Sequence, residues 1–187
     1  LREEYGVRKG DRVAILAANS TEWVIAFWAT LSVGGVVASM NAWWTPPEIA
    51  HALQSCEPKV VFADAPRRAA VNALDPTRRC IAIESELAGF IARREGASLC
   101  AEPIDEDDPA VILYTSGTTG RSKGAVASHR ALCGTVSLGR YGAASAAAAA
   151  AQAGGGSSAP ARQVALITVP LFHASGLYGF VVGYLAG

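Results

Sequence analysis

The sequence predicts an α/β fold: a parallel sheet of βαβ units with helices on both faces. Three observations predict it. Short runs rich in Val, Ile and Ala alternate with longer segments that carry helix-start signals. Those short runs are apolar throughout, as strands buried on both faces of a parallel sheet must be. The segments richest in functional groups follow such runs directly, and open α/β sheets take ligands beyond the carboxyl ends of their strands.

Taken in order, Arg12 to Leu16 forms the first strand, after the turn Lys9-Gly10-Asp11. Asn19 or Ser20 caps the next helix, with Glu22 placed to return a hydrogen bond to Asn19. Trp23, Phe27, Trp28 and Leu31 make this helix apolar on most faces, and Gly34-Gly35 stops it. Val36 to Met40 is the second strand. Thr45-Pro46-Pro47-Glu48 combines a cap, prolines in the first turn and an acid three residues after the cap, so it starts a helix that ends at Pro58. Lys59 to Ala63 is a third strand, Arg67 to Leu74 a helix, Cys80 to Ile83 a fourth strand and Leu87 to Arg94 a weaker helix. Trp43 and Trp44 are expected as packing aromatics. The acidic run Asp105-Glu106-Asp107-Asp108 reads as a solvated connector before Pro109, in preference to a cation site.

After the apolar run Ala110 to Leu113 stands Tyr114-Thr115-Ser116-Gly117-Thr118-Thr119-Gly120-Arg121-Ser122-Lys123-Gly124. Glycines let successive backbone N–H groups point into one concavity, a nest for anions. Hydroxyls add neutral donors, and Lys123 adds a mobile charge suited to phosphate oxygens. A flexible surface loop is the plain alternative, but such a loop seldom places a lysine between hydroxyl and glycine straight after a buried strand. The Walker pattern fails, since counting from Gly117 puts Ser122 where glycine is needed and Gly124 where a hydroxyl is needed. A dinucleotide fingerprint fails at Thr115, and a nucleophile elbow around Ser116 fails at Tyr114 and Thr118. The loop therefore reads as a polyphosphate cradle.

An apolar segment starts at Ala125, and Ser128 caps a helix from His129 to about Arg140. Residues 143–161 are low in complexity, alanine-rich and then Gly/Ser-rich; the alanines can extend the helix, and the stretch reads as a surface insertion. Gln163 to Val169 is expected as a buried strand. It leads into Pro170-Leu171-Phe172-His173-Ala174-Ser175-Gly176-Leu177. Alone, His173 in an apolar stretch is more often structural than functional.

Composition narrows the function classes. With Lys+Arg 16 against Asp+Glu 16 the net charge is zero, which gives no electrostatic case for a nucleic-acid partner. Hydrophobic content of 51% supports a sizeable core. Cys56, Cys80, Cys100 and Cys133 lack metal-ligand spacing and read as buried free thiols of a reducing, cytoplasmic compartment. No charge falls between Glu22 and Glu48, but glycines, Asn41 and prolines interrupt that stretch, so no transmembrane segment is expected. The chain starts without Met and stops in an apolar run, so it is expected to be part of a longer protein.

Tyr-Thr-Ser-Gly-Thr-Thr-Gly-x-x-Lys-Gly resembles the phosphate-binding signature of the adenylate-forming, AMP-binding superfamily: acyl-CoA synthetases, luciferases and peptide-synthetase adenylation domains. One departure is Ser122, where the family usually has a proline that would fix φ. Pro-Leu-Phe-His-x-x-Gly resembles the family's next motif, and it arrives one helix and one strand later, as in relatives. Gly-Val-Arg-Lys-Gly-Asp-Arg-Val-Ala-Ile-Leu, Asn-Ser-Thr-Glu-Trp and Asn-Ala-Trp-Trp-Thr-Pro-Pro-Glu-Ile are similar to fatty-acyl and related acyl-CoA synthetases.

The resemblance implies a partial N-terminal AMP-binding domain over residues 1–187: a βαβ subregion at 1–108, strand, phosphate loop and helix at 109–140, the insertion at 143–161, and the acyl-site motif within 162–187. It implies a two-step ligase. A carboxylic acid, with a fatty acid as the expected kind, reacts with ATP to give acyl-adenylate and pyrophosphate, and CoA then takes the acyl group. Mg²⁺ would accompany the phosphates. Thr115, Ser116, Gly117, Thr118, Thr119, Gly120, Lys123 and Gly124 would hold the ATP phosphates. His173 would position the carboxylate, with Phe172 and Gly176 lining the acyl site. The family's adenine and ribose contacts, hinge and C-terminal domain with its catalytic lysine lie downstream in relatives, so these residues alone are expected not to turn over. A non-catalytic nucleotide-binding relative, an unrelated phosphotransferase and an adenylation domain that loads a carrier protein are the alternatives.

Overall fold

Six strands form a single sheet in the order β4-β3-β1-β2-β5-β6. The computed structural model describes residues 1–98, 102–115, 120–154 and 166–186. In chain order the elements are α1 (Arg2–Tyr5), β1 (Arg12–Leu16), α2 (Thr21–Ser32), β2 (Val36–Ser39), α3 (Pro46–Cys56), β3 (Val60–Ala63) and α4 (Ala65–Leu74). There follow β4 (Cys80–Ala82), α5 (Leu87–Ala92), β5 (Pro109–Thr115), β6 (Lys123–Ser128), α6 (His129–Gln152) and α7 (Ala174–Ala186). Strands β1 to β5 run parallel, and β6 returns antiparallel to β5. The sheet is thus mostly parallel and mixed at one edge.

Successive strand residues point to opposite faces, and each face has its own core. Val13, Ile15, Val37, Phe62 and Val111 lie under α2 and α7, which contribute Trp23, Phe27, Leu177 and Phe180. Ala14, Leu16, Ala38, Met40, Val61 and Ala63 lie under α3 and α4, through Ile49, Ala52, Leu53 and Val71. Trp23 and Phe27 are fully buried and stacked at 5.5 Å, so each stabilises the fold by roughly 1.5–3 kcal/mol through burial alone. This two-sided burial is why the strands lack polar alternation.

Most expected elements form, with shifts of a residue or two at their ends. Ser20, not Asn19, caps α2, its hydroxyl accepting from the Trp23 N–H at 3.1 Å. The helix ends before Gly34, whose φ of 72° suits glycine. At α3, the Glu48 carboxylate accepts from the Thr45 N–H and hydroxyl, which holds its pKa below the ordinary value. The acidic connector is tied down by ion pairs: Lys9 meets Asp108 at 2.6 Å, and Arg130 meets Asp107 at 2.7 Å.

Four points add to or differ from the sequence expectations. The segment after the phosphate loop is a strand, because Gly124 to Ser128 pairs with β5 instead of crossing over the sheet. The alanine stretch extends α6 to Gln152, as low-cost helix formers allow; residues 155–161 lie outside the described residues. The expected strand at 163–169 is absent where it is described: residues 166–169 form no strand and Leu166 is 88% exposed. Apolarity alone does not make a strand; it needs a ladder partner, and none pairs here among the described residues. Of the thiols, Cys56 is buried, Cys80 half-buried and Cys133 exposed on α6, so the expectation of uniformly buried thiols fails at Cys133. Cys100 lies outside the described residues.

Candidate functional site

The candidate site lies at the carboxyl ends of β1, β2 and β5. Strand β5 delivers Thr115 to the surface, and β6 begins at Lys123, directly opposite Thr115 in the ladder. The phosphate-loop motif is therefore the connection of a β5–β6 hairpin. Ser116, Gly117, Thr118 and Thr119 lie outside the described residues. Gly120 has φ 83°, which a side-chain-bearing residue rarely adopts. Lys123 and Gly124 are exposed, and neither Lys123 nor Arg121 has an ion-pair partner among the described residues. A Cβ at Gly124 would come within 2.7 Å of Ile112 Cγ2, so glycine also lets β6 lie close over β5.

Both flanks of the loop are tied to α3. The Tyr114 phenol donates to the Ala52 carbonyl at 3.2 Å and shares a 3.2 Å hydrogen bond with the Ser55 hydroxyl. Burial pushes the Tyr114 phenol well up, so it remains a protonated donor. On the far flank, His51 Nε2 lies 3.2 Å from the Ser122 carbonyl oxygen.

The second motif sits beside this one although no strand forms at the described residues 166–169 that lead into it. The Asn19 carboxamide holds it: Asn19 Nδ2 donates to the Val169 carbonyl at 2.9 Å, and its Oδ1 accepts from the Leu171 N–H at 2.8 Å. Leu171 and Phe172 are buried, His173 is half-buried, and α7 begins at Ala174. The His173 N–H bonds the Pro170 carbonyl, and the His173 carbonyl accepts from Leu177. A Cβ at Gly176 would overlap the Pro170 carbonyl oxygen, so only glycine allows this turn to close on the helix.

The connection between β2 and α3 joins the two motifs. Trp44 packs edge-on against Tyr114 with ring centroids 5.1 Å apart, and Trp43 packs edge-on against Phe172 at 5.2 Å. Trp43 also lies 6.5 Å from the His173 ring and is 69% exposed. Trp44 thus fits the expected packing role, whereas Trp43 presents its ring at the surface beside Phe172 and His173. The connection is itself held: Arg67 Nε donates to the Ala42 carbonyl at 2.8 Å while its guanidinium pairs with Asp64 at 2.7 Å. Buried Asp64 also accepts from the Ala18 N–H, tying the end of β1 into the same network.

Asn19, His51, Asp64 and Arg67 were not singled out for the site from sequence. Asn19 carried a signal, a polar residue just past a buried strand, but it read equally as a helix cap. No group of three or more His, Cys, Asp or Glu side chains that could hold a metal ion gathers among the described residues.

A family model described as AMP-binding enzyme matches residues 1–187. Over 195 residues the chain is 29% identical to the peroxisomal OPC-8:0-CoA ligase 1 of Arabidopsis thaliana, covering 98% of this chain and 33% of that protein. It is 37% identical to 4-coumarate–CoA ligase-like 5 of Oryza sativa subsp. japonica, covering 91% of this chain and 31% of the relative. The chain thus spans about a third of the length of these relatives. Among solved structures, the N-terminal domain of FACL13 from Mycobacterium tuberculosis superposes with a TM-score of 0.75 at 28% identity, over 97% of this chain and 44% of that one. ATP-bound MatB from Rhodopseudomonas palustris superposes at 0.74 and 29% identity, over 99% of this chain and 34% of that one.

Proposed function

The chain belongs to the AMP-binding enzyme family, and on that premise we propose that the complete protein activates a carboxylic acid with ATP and transfers the acyl group to CoA. A carboxylate oxygen attacks the α-phosphorus, the bond from that phosphorus to the bridging oxygen breaks, and pyrophosphate leaves. The CoA sulfur then attacks the acyl carbonyl and AMP departs. The observation that carries this reading is the Trp43-Trp44 connection, which has the flank of the phosphate loop on one side and the Phe172-His173 motif on the other.

The first step needs alignment and a means to neutralise the departing charge. Lys123 supplies a cation, Thr115, Ser116, Thr118 and Thr119 supply hydroxyl donors, and Gly117, Gly120 and Gly124 leave backbone room for phosphates. Mg²⁺, where bound, would share the phosphate charge with Lys123. His173 positions the carboxylate, and Phe172 and Gly176 shape the acyl end. The substrate class is a carboxylic acid with an apolar body: fatty acids first, and aromatic acids as suggested by the 4-coumarate–CoA ligase-like relative. Residues 1–187 constitute part of an N-terminal domain, and without further segments they would not turn over. Among the described residues no helix is long and apolar enough to cross a membrane. A cytoplasmic location is part of the proposal, drawn from the spacing of the four cysteines in the sequence; one relative is named as peroxisomal.

A screen of carboxylates against the complete protein with ATP and CoA tests the reading. Release of AMP and pyrophosphate that depends on one acid supports it; release of ADP would instead make the loop a kinase-type phosphate site. Lys123→Ala should depress pyrophosphate release at least tenfold, since a charged contact is worth about 1.5–3 kcal/mol. Unchanged release would remove the role assigned to that lysine.

A further inference from the structure

We infer that His51 is a positioning residue for the phosphate loop, acting from α3 through the backbone of Ser122. The inference rests on the reading of residues 115–124 as an ATP-phosphate site. A carbonyl oxygen only accepts, so the 3.2 Å contact requires the proton on His51 Nε2. That bond fixes the orientation of the Ser122–Lys123 peptide, and hence where the Lys123 side chain leaves the backbone. On the opposite side, the Thr115 hydroxyl lies 3.4 Å from the Lys123 carbonyl.

Proline would fix φ covalently; Ser122 does not, and the imidazole supplies the restraint from outside the loop. The anchor is firm because α3 is firm. Ile49, Ala52, Leu53 and Cys56 are buried against the sheet, and the Ala52 carbonyl next to His51 receives the Tyr114 phenol. One helix therefore grips both ends of the loop, at Tyr114 and at Ser122.

The test measures MgATP affinity of the complete protein by titration calorimetry, with His51→Ala, His51→Gln, Tyr114→Phe and Lys123→Ala. His51→Ala should weaken MgATP binding about three- to tenfold, the scale of one hydrogen bond. His51→Gln, whose amide can still donate, should recover to within about twofold of the parent. Tyr114→Phe, which removes only the phenol oxygen, should weaken binding in the same direction and serves if His51→Ala does not fold. Unchanged affinity in His51→Ala beside a weakened Lys123→Ala overturns the inference while leaving the phosphate site intact. Equal weakening in His51→Ala and His51→Gln, with melting temperatures at the parent value, also overturns it, since the donor would then be irrelevant. Unchanged affinity in Lys123→Ala overturns the reading of the loop itself.

Discussion

Asn19 and Leu171, 152 residues apart in sequence, are joined by a 2.8 Å hydrogen bond from the Leu171 N–H to the Asn19 carboxamide oxygen. The same carboxamide donates to the Val169 carbonyl at 2.9 Å. One side chain just past β1 thus holds the backbone that leads into the second motif, where the described residues 166–169 form no strand. Two backbone bonds made by an amide hold a turn that has no ladder of its own.

Asn19→Ala should therefore be costly for a substitution so near the surface. It removes both bonds and leaves the Leu171 N–H without a partner, a loss of about 1–3 kcal/mol. Urea unfolding of the complete protein should show a lower midpoint at an unchanged slope. The carboxylate KM should rise as well, because His173 follows Leu171 by two residues.

Trp43→Ala tests whether the exposed ring serves the site. The ring is fixed edge-on to Phe172 at 5.2 Å yet remains 69% exposed, so its loss should leave folding nearly intact. Losing one aromatic contact of about 0.5–1.5 kcal/mol should raise the KM for an apolar carboxylate roughly two- to tenfold, with the KM for ATP unmoved. A change in the ATP value alone would place Trp43 with the phosphate loop instead.

The sheet was legible in the sequence because burial on both faces leaves uninterrupted apolar runs, and because Ser20 and the Thr45–Glu48 pair mark helix starts locally. The proposed phosphate loop stands out in the sequence because glycine, hydroxyl and lysine chemistry is written in consecutive residues. What was not legible depends on distant partners. Lys123 to Ser128 is a strand only because β5 offers an edge to pair with, and Leu166 to Val169 is not one because no edge is offered among the described residues. The hydrogen bonds of His51 to Ser122 and Asn19 to Leu171 span 71 and 152 residues, and nothing local in either segment announces them.

Acid should weaken the fold in two stages. Burial lowers the pKa of His129 below its ordinary 6.5, so its proton is disfavoured in the native state. Stability from that source is full above pH 6.5 and falls as pH drops through the lower native value. The second stage belongs to the carboxylates. The hydrogen bond from Lys9 lowers Asp108 and that from Arg130 lowers Asp107, both from 3.8; their contribution is full above that value and is lost as pH falls below it. Urea midpoints measured from pH 7 to about pH 2 should fall in both windows, and Asp108→Asn should flatten the lower one. Added salt should shrink the lower step, since these pairs are exposed.

Gly176→Ala should damage the second motif more than its single methyl group suggests. At this position a Cβ would overlap the Pro170 carbonyl oxygen, a backbone atom that cannot rotate aside. The same oxygen accepts from the His173 N–H, so pushing it away also loosens the residue proposed to position the carboxylate. Overpacking of this kind costs about 1–3 kcal/mol, and here the turn must open or α7 must shift. The expected outcome for the complete protein is a lower melting temperature together with a fall in acid-dependent pyrophosphate release. MgATP affinity should stay at the parent value, because the atoms nearest a Cβ at Gly176 belong to Pro170 and Leu171 and not to the hairpin. A variant that keeps both melting temperature and acid-dependent release would show that Pro170 can yield, and that the glycine is not what brings His173 to its place.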